Sequence, residues 1–462
     1  MGVAHVEAGQ PTLAELPDDR VAGEEVLDLA SKAGASQAEV VVQADDAALT
    51  RFANSEIHQN VAESDARLSL RFIYGQRIGV AATGRFDPAA LKALAETAGA
   101  IARNVEPNAD FASLPGPGPR PIPDLPDAYS TATAEATPEL RAEGVRAVIA
   151  QADKAGVTAY GSFATTTETI TVANSLGVRA SGARTWSQLI TVSMGPGGGS
   201  GYAEAAAVDA TRIDAGALGQ EASDRARATV DAVAIEPGDY PVVLDTYAVV
   251  DVMDMLGYLG FSALAVQEGR SFVEIGKRVG SELVTIRDDG ADPAGLPMAF
   301  DYEGVEKQRV ELMTRGVCTG LVYDGQTAAH DGVRSTGHGL PAPNSYGPFP
   351  LNMVMEAGTS SREELIGGLE RGLLVTRFHY TNPVHPKLAI VTGMTRDGTF
   401  LVEGGKIVGP VKNLRFTQSY LDALAGVSAV GRDRRCLKGF LGGVVVPAVR
   451  IDSWTFTGAT EH

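Results

Sequence analysis

The sequence predicts an α+β protein: an N-terminal α/β domain of helix-plus-hairpin units, then a C-terminal, predominantly β domain with a curved sheet or barrel-like core. Three observations predict it. Helix-period and strand-period stretches alternate from residue 21 to about 236. Pro237-Gly238-Asp239 then punctuates the chain, and from Tyr240 onward the text is β-rich and glycine-rich, with few helices. Finally, the phrase Ala-Asn-Ser recurs between strand-like segments, at Ala53 and at Ala173.

Taken in order, residues 1–20 are an acidic leader, and Val21 to Ala33 reads as an amphipathic helix. Ala38–Gln43, Ala48–Ala53, Ala66–Ile73 and Arg77–Ala82 read as strands of a meander with turn residues between them. Pro88 to Arg103 reads as a helix. The stretch 105–136 is a connector; seven prolines between Pro107 and Pro126 exclude helix and central strand there. Thr137-Pro138-Glu139 carries an N-cap and a first-turn proline, opening a helix to about Lys154. Strands follow near Tyr160–Val172 and Val178–Val192, then a helix near Gly216–Val233. Asn54-Ser55 and Asn174-Ser175 lie 120 residues apart, each after a helix and a polar strand. This echo reads either as a duplicated unit or as coincident turn chemistry.

In the C-terminal domain, residues 237–462, Asp245-Thr246 caps a helix with the stripe Val249, Val252, Met253 and Leu256. Ser361-Arg362-Glu363-Glu364 is a capping box. Gly404-Gly405 turns a hairpin between Thr399–Glu403 and Lys406–Val411, and Gly442–Ile451 is a closing strand.

The chain of 462 residues carries a formal net charge of -18, and its nearest basic run, Arg432 to Arg435, is short and interrupted by an acid. Nucleic acid is therefore not an expected partner. Two cysteines, Cys318 and Cys436, fit a reducing, cytoplasmic setting. No signal peptide and no run long enough to span a membrane is read, so no membrane partner is expected.

Most catalytic signatures fail. Gly195 to Gly201 lacks both the phosphate-loop Lys-Ser/Thr and Gly-x-Gly-x-x-Gly spacing, and reads as a hairpin loop. No Gly-x-Ser-x-Gly or Ser-x-x-Lys occurs. Of the seven histidines, His330 with His338 and His379 with His385 share loop regions, without metal-ligand spacing. Asp288-Asp289-Gly290 and Asp301 to Gly304 read as acidic turns. Arg434, Arg435 and Lys438 around Cys436 are expected to lower its pKa.

The C-terminal phrases taken together are more specific. Tyr240 to Leu244, Gly280 to Gly290, Phe300 to Gly304, Gly316 to Ala328, Ser335 to Gly339 and Arg396 to Glu403 resemble the TldD/PmbA family in wording and order. The two Asn-Ser phrases fit as well, and the resemblance covers about residues 20 to 455. It implies a role in a zinc peptidase whose TldD-type subunit carries His-Glu-x-x-x-His and a distant Cys ligand. The companion TldE (PmbA) type lacks those ligands, and the pair encloses a cavity in which extended peptides are cut. Here the motif maps onto Gln267-Glu268-Gly269-Arg270-Ser271-Phe272. Glu268 keeps the general-base position, while Gln267 and Phe272 replace both histidines, and Cys436 lies where the third ligand is expected. Two residues five apart on a regular helix lie about 140° apart, so such a motif requires a helix end or distortion.

The resemblance therefore implies a non-catalytic TldE-like subunit with no metal of its own. Its zinc is expected in a TldD-like partner, and an extended peptide is the expected substrate. A self-sufficient peptidase using the four paired histidines, and a non-enzymatic peptide-binding protein that pairs with a second copy of itself, are the alternatives.

Overall fold

A computed structural model describes residues 19–119, 121–440 and 442–459. The leader up to residue 18 lies outside the described residues. The N-terminal sheet is built twice over. Helix α1 (Asp19–Lys32) leads into β1 (Gln37–Ala53), β2 (Glu56–Tyr74) and β3 (Arg77–Thr83), and α2 (Pro88–Asn104) follows. After the connector and a short α3 (Thr131–Ala134), α4 (Pro138–Ala155) leads into β4 (Thr158–Asn174), β5 (Arg179–Met194) and β6 (Ser200–Ala207), and α5 (Ala215–Ala228) follows.

The sheet order β3-β2-β1-β4-β5-β6 is a palindrome about the antiparallel β1–β4 pair. The recurrent Asn-Ser phrases bond reciprocally across that axis. The Ser55 N–H donates to Ala159 O while Ser55 Oγ accepts from the Ala159 N–H; Ser175 and Ala38 make the same two bonds. The echo is thus a duplicated unit, larger than the sequence suggests, because each copy includes a third strand and a closing helix. The helices cover one face, with Phe72, Leu91 and Ala98 under the first pair and Val145, Phe163 and Leu218 under the second.

The two strands expected at Ala38–Gln43 and Ala48–Ala53 are one. The polar stretch Gln43 to Asp46 is strand interior, where the Asp46 carboxylate accepts from Ser64 Oγ across the ladder. Thr137 caps α4 through the Leu140 N–H, and Gly195 to Gly199 forms the β5–β6 hairpin loop.

The second sheet begins with β7 (Gly238–Leu244), which runs into α6 (Thr246–Leu259) and the short α7 (Ala263–Gln267). Strands β8 (Ile286–Asp288), β9 (Val310–Thr314) and β10 (Val317–Cys318), helix α8 (Gly325–Asp331), strand β11 (Met353–Met355) and helix α9 (Arg362–Gly367) follow. The chain finishes with β12 (Arg371–His385), β13 (Ile390–Glu403), β14 (Lys406–Pro410), β15 (Leu414–Ser419), α10 (Tyr420–Ala425), β16 (Val427–Lys438) and β17 (Gly443–Ala459).

The sheet curls because β17 pairs with both β15 and β7, closing the ring β7-β12-β13-β15-β17. Inside, Trp454 stacks on Phe378 at 4.8 Å and meets Phe416 edge-on at 5.3 Å. Both expected caps are present: Asp245 opens α6, and Ser361 with Glu364 forms a complete capping box on α9. Helix α6 is buried well beyond the stripe read from its period, since Tyr247, Ala248, Val250 and Leu259 are also covered. No helix among the described residues is long and apolar enough to cross a membrane.

The two sheets meet through polar clamps. Arg71 on β2 bridges Glu39 and Glu303. Near the other end Tyr202 meets Tyr247 edge-on at 5.1 Å, Arg377 lies 4.3 Å above the Tyr202 ring, and Ser200 Oγ donates to Asp397.

Candidate functional site

The segment Gln267 to Phe272 sits where α7 stops. Helix bonding ends as the Glu268 N–H donates to Leu264 O and Gly269 takes φ +70°, a conformation glycine adopts without strain. The Arg270 and Ser271 N–H groups both return to Ala265 O, and Ser271 Oγ donates to Gly260 O. The chain therefore folds back on the loop before α7, and the helix end required by the motif spacing is present.

This geometry separates the four positions. Gln267 Nε2 donates to Thr327 O at 2.9 Å, tying α7 to α8. Glu268 is half-exposed and ion-paired with Arg270. Phe272 turns inward, 4% exposed, with its ring edge-on to Phe261 at 5.7 Å. A Cβ at residue 260 would stand 2.1 Å from that ring, so Gly260 makes room for it. Cys436 lies on β16 opposite Val445. Burial pushes its thiol up to about 12, and the Glu204 and Asp292 carboxylates add to the shift. The lowering expected from Arg434, Arg435 and Lys438 is thus corrected: burial outweighs them, with Arg435 engaged by Glu221 and Tyr247 and Lys438 above the Trp186 ring.

A zinc ion needs lone pairs converging within about 2.0–2.3 Å. Phe272 offers none, Gln267 offers only a neutral amide oxygen on a side chain tied by its Nε2 to Thr327 O, and Cys436 is held as a thiol. The residues at these positions do not fit zinc. Among the described residues no group of three or more His, Cys, Asp or Glu is placed to hold a metal.

The four paired histidines have different partners. His330 Nδ1 bonds the neighbouring Asp331, and His385 accepts from the Leu388 N–H at a hairpin tip. His379, on β12, lies beside the Tyr380 ring. His338 is fully buried: Nε2 bonds Asp288 Oδ1 at 2.8 Å and Nδ1 bonds Thr336 Oγ1 at 2.9 Å. Burial and Lys307 lower its pKa, so it is a neutral ring donating to Asp288. Lys307 Nζ stands 3.4 Å from the same carboxylate oxygen, and the Asn352 N–H donates to the other oxygen. Against its burial, Lys307 and His338 hold Asp288 well below the usual carboxylate range.

Asp288 is therefore a strand residue in a buried ionic cluster, a correction to its reading as an acidic turn. Asp301 does form its turn, accepting from the Glu303 and Val305 N–H groups. No local spacing signals the Asp288–Lys307–His338 cluster, since its members come from separate segments.

Sequence reasoning also missed Asp251 and Asp254, two acids on the otherwise apolar α6, which was the available signal. Tyr420 and Thr381 hydroxyls donate to Asp251, and the Phe440 N–H donates to Asp254. Burial, then Asp251 and Glu204, push Asp254 up to about 7. A carboxyl raised above its unfolded value binds more protons folded than unfolded between about pH 4 and pH 7, so stability falls as pH rises through that window. The urea midpoint should drop between pH 5 and pH 8, and drop less in Asp254→Asn. Equal drops in the two proteins would refute the assignment.

Two cavities border these elements. One, of about 930 Å³, is an open groove beside Phe272 that is also lined by Lys277, His385 and Leu421. The other, of about 750 Å³, lies between β5, the connector and Phe300.

Three stretches match descriptions of one family: residues 38–102 the PmbA/TldA metallopeptidase domain 1, residues 123–230 its central domain, and residues 237–458 its C-terminal domain. The first two supply three strands each to the N-terminal sheet. Among curated proteins, the chain is 30% identical over 212 residues to a metalloprotease TldD homolog of Buchnera aphidicola, covering 44% of this chain and 42% of that protein. It is 29% identical to the Haemophilus influenzae TldD homolog, covering 52% of each. The match thus spans about half the length of these relatives or less. In fold it is similar to TldE from Thermococcus kodakarensis, with TM-score 0.86 and 22% identity, covering 95% of this chain and 100% of that one. A Thermotoga maritima protein described as a putative modulator of a DNA gyrase is also similar, with TM-score 0.84 and 20% identity over 95% of this chain and 100% of that one.

Proposed function

The chain belongs to the PmbA/TldD metallopeptidase family, and from that premise we propose that it is a non-catalytic, TldE-like subunit of a cytoplasmic zinc peptidase complex. In this reading the zinc sits in a TldD-like partner, and this chain contributes part of the chamber wall and of the surface that holds an unfolded or extended peptide. The observation that carries it is Phe272. A side chain without a lone pair fills a ligand position and is built into the core against Phe261 and Gly260. A metal position that had only lost one donor would leave a polar vacancy; this one is packed. Glu268, paired with Arg270, has no metal-bound water to activate. A net charge of -18 counts against DNA as the working partner.

The test is an assay of unfolded-peptide cleavage with this chain alone, a TldD-like chain bearing His-Glu-x-x-x-His alone, and both together. The mixture should cleave, and this chain alone should be inactive and hold no stoichiometric zinc. Cleavage by this chain alone, with about one zinc bound, would refute the reading. A stable homodimer that never joins the TldD-like chain would favour a non-enzymatic peptide-binding role.

A further inference from the structure

Strand β5 pairs with β4 along its length but with β6 only from Ser187 onward, so Arg179 to Trp186 has no strand on its outer side. The ladder fixes which amides face outward. The Asn174 N–H bonds Val178 O, which turns the even-numbered groups of β5 toward β4; the Gly195 N–H bonds Gly199 O, which turns the odd-numbered ones away. Ser181 and Ala183 therefore aim N–H and C=O outward, and among the described residues no backbone partner meets them. Exposed edges are ordinarily blunted by Lys, Pro or a bulge. Ala180-Ser181-Gly182-Ala183 carries none of these, and three of the four residues are exposed.

We propose that this edge and the proline-rich connector form a slot that takes an extended peptide of about five residues as an added strand; this rests on the peptide-binding role proposed above and deepens it. The cavity of about 750 Å³ lies along the edge from Arg179 to Arg184. At about 3.3 Å per residue, Arg179 to Arg184 spans about 17 Å, the length of about five extended residues. Pro121 and Pro123 line the slot opposite the edge, and proline has no N–H with which to pair. The connector thus walls the slot without filling it. Farther along, the connector itself sits on the same edge, where the Ser130 N–H donates to Thr185 Oγ1. A helix cap therefore covers the next stretch of edge through a side-chain bond, and the open stretch keeps its backbone groups for a strand.

Ile170, Val172 and Phe300 give the slot an apolar floor, and a Cβ at Gly182 would stand 3.1 Å from the Phe300 ring. Arg179 and Arg184 at the two ends are already paired with Glu24 and Glu168. The slot therefore selects an extended backbone with uncharged side chains, without further sequence choice.

The experiment is fluorescence anisotropy with a labelled, end-blocked Thr-Val-Thr-Val-Thr peptide, titrated with the full chain. Saturable binding is expected, weakened at least fivefold by Ala183→Pro and by Ser181→Pro, and abolished by N-methylating alternate peptide amides. The methylated peptide needs no variant, so a misfolded proline mutant does not blunt the test. No saturable binding, or binding indifferent to both the prolines and the methylation, overturns the slot. Slot binding with an inactive two-chain mixture would sink the subunit reading alone; an active mixture with no slot binding would sink the slot alone.

Discussion

Asp288→Ala is expected to cost about 3–5 kcal/mol, the usual penalty for stripping a partner from a buried ion. The Lys307 side chain is 1% exposed, its Nζ has no hydrogen-bond partner, and it would lose the carboxylate 3.4 Å away. His338 and the Asn352 N–H would lose their acceptor in the same step. Against a typical total of about 5–15 kcal/mol, that is enough to leave much of the chain unfolded at physiological temperature. Urea unfolding of Asp288→Ala and of Asp288→Asn/Lys307→Met tests it. The double variant, which removes both charges, should recover a large part of the loss, whereas a single variant within about 1 kcal/mol of the parent would contradict the argument. The pH dependence has a definite sign. The folded carboxyl is held below its unfolded value, so its contribution is full above about pH 4 and disappears as pH falls below that.

The second large effect concerns restoring the histidines. Gln267→His/Phe272→His is expected to destabilise the chain by about 3 kcal/mol and to gain no tight zinc site. An imidazole at 272 would be smaller than the ring it replaces and would place its nitrogens against the Phe261 ring and Gly260 in a site shaped for an apolar ring. Position 267 would lose the bond to Thr327 O, and Cys436 would remain a half-buried thiol costly to ionise. Unfolding curves and zinc analysis of the purified variant measure both. A stable variant holding about one zinc per chain would show that the site is only two side chains from function, and would sink the packed-core account.

Much of the architecture was legible because its signals are local. Thr137, Asp245 and Ser361 are caps, as their spacing predicts, since each satisfies an N–H group within one turn of itself. Gly404-Gly405 predicts a hairpin turn and takes positive φ at both residues. The Asn-Ser echo located the internal repeat. The break expected between Gln43 and Ala48 failed because a half-buried strand tolerates acids when its cross-strand neighbours bond them, as Ser64 does for Asp46.

The motif segment divides the same way. By itself the sequence determined which side chains stand at Gln267, Glu268, Phe272 and Cys436, and that a helix carrying the Gln267 to Phe272 motif must end or distort within it, where Gly269 stands. Composition fixes donor chemistry, and glycine fixes the turn, with no help from distant residues. Only the tertiary structure decided that Phe272 points into the core and that Cys436 is kept protonated despite three nearby cations. It also drew Asp288, Lys307 and His338 from separate segments into one buried cluster, and left one stretch of β5 without a neighbour. Burial, and the partner each charge finds, are set by elements far apart in the chain, and burial and pairing govern both pKa and packing.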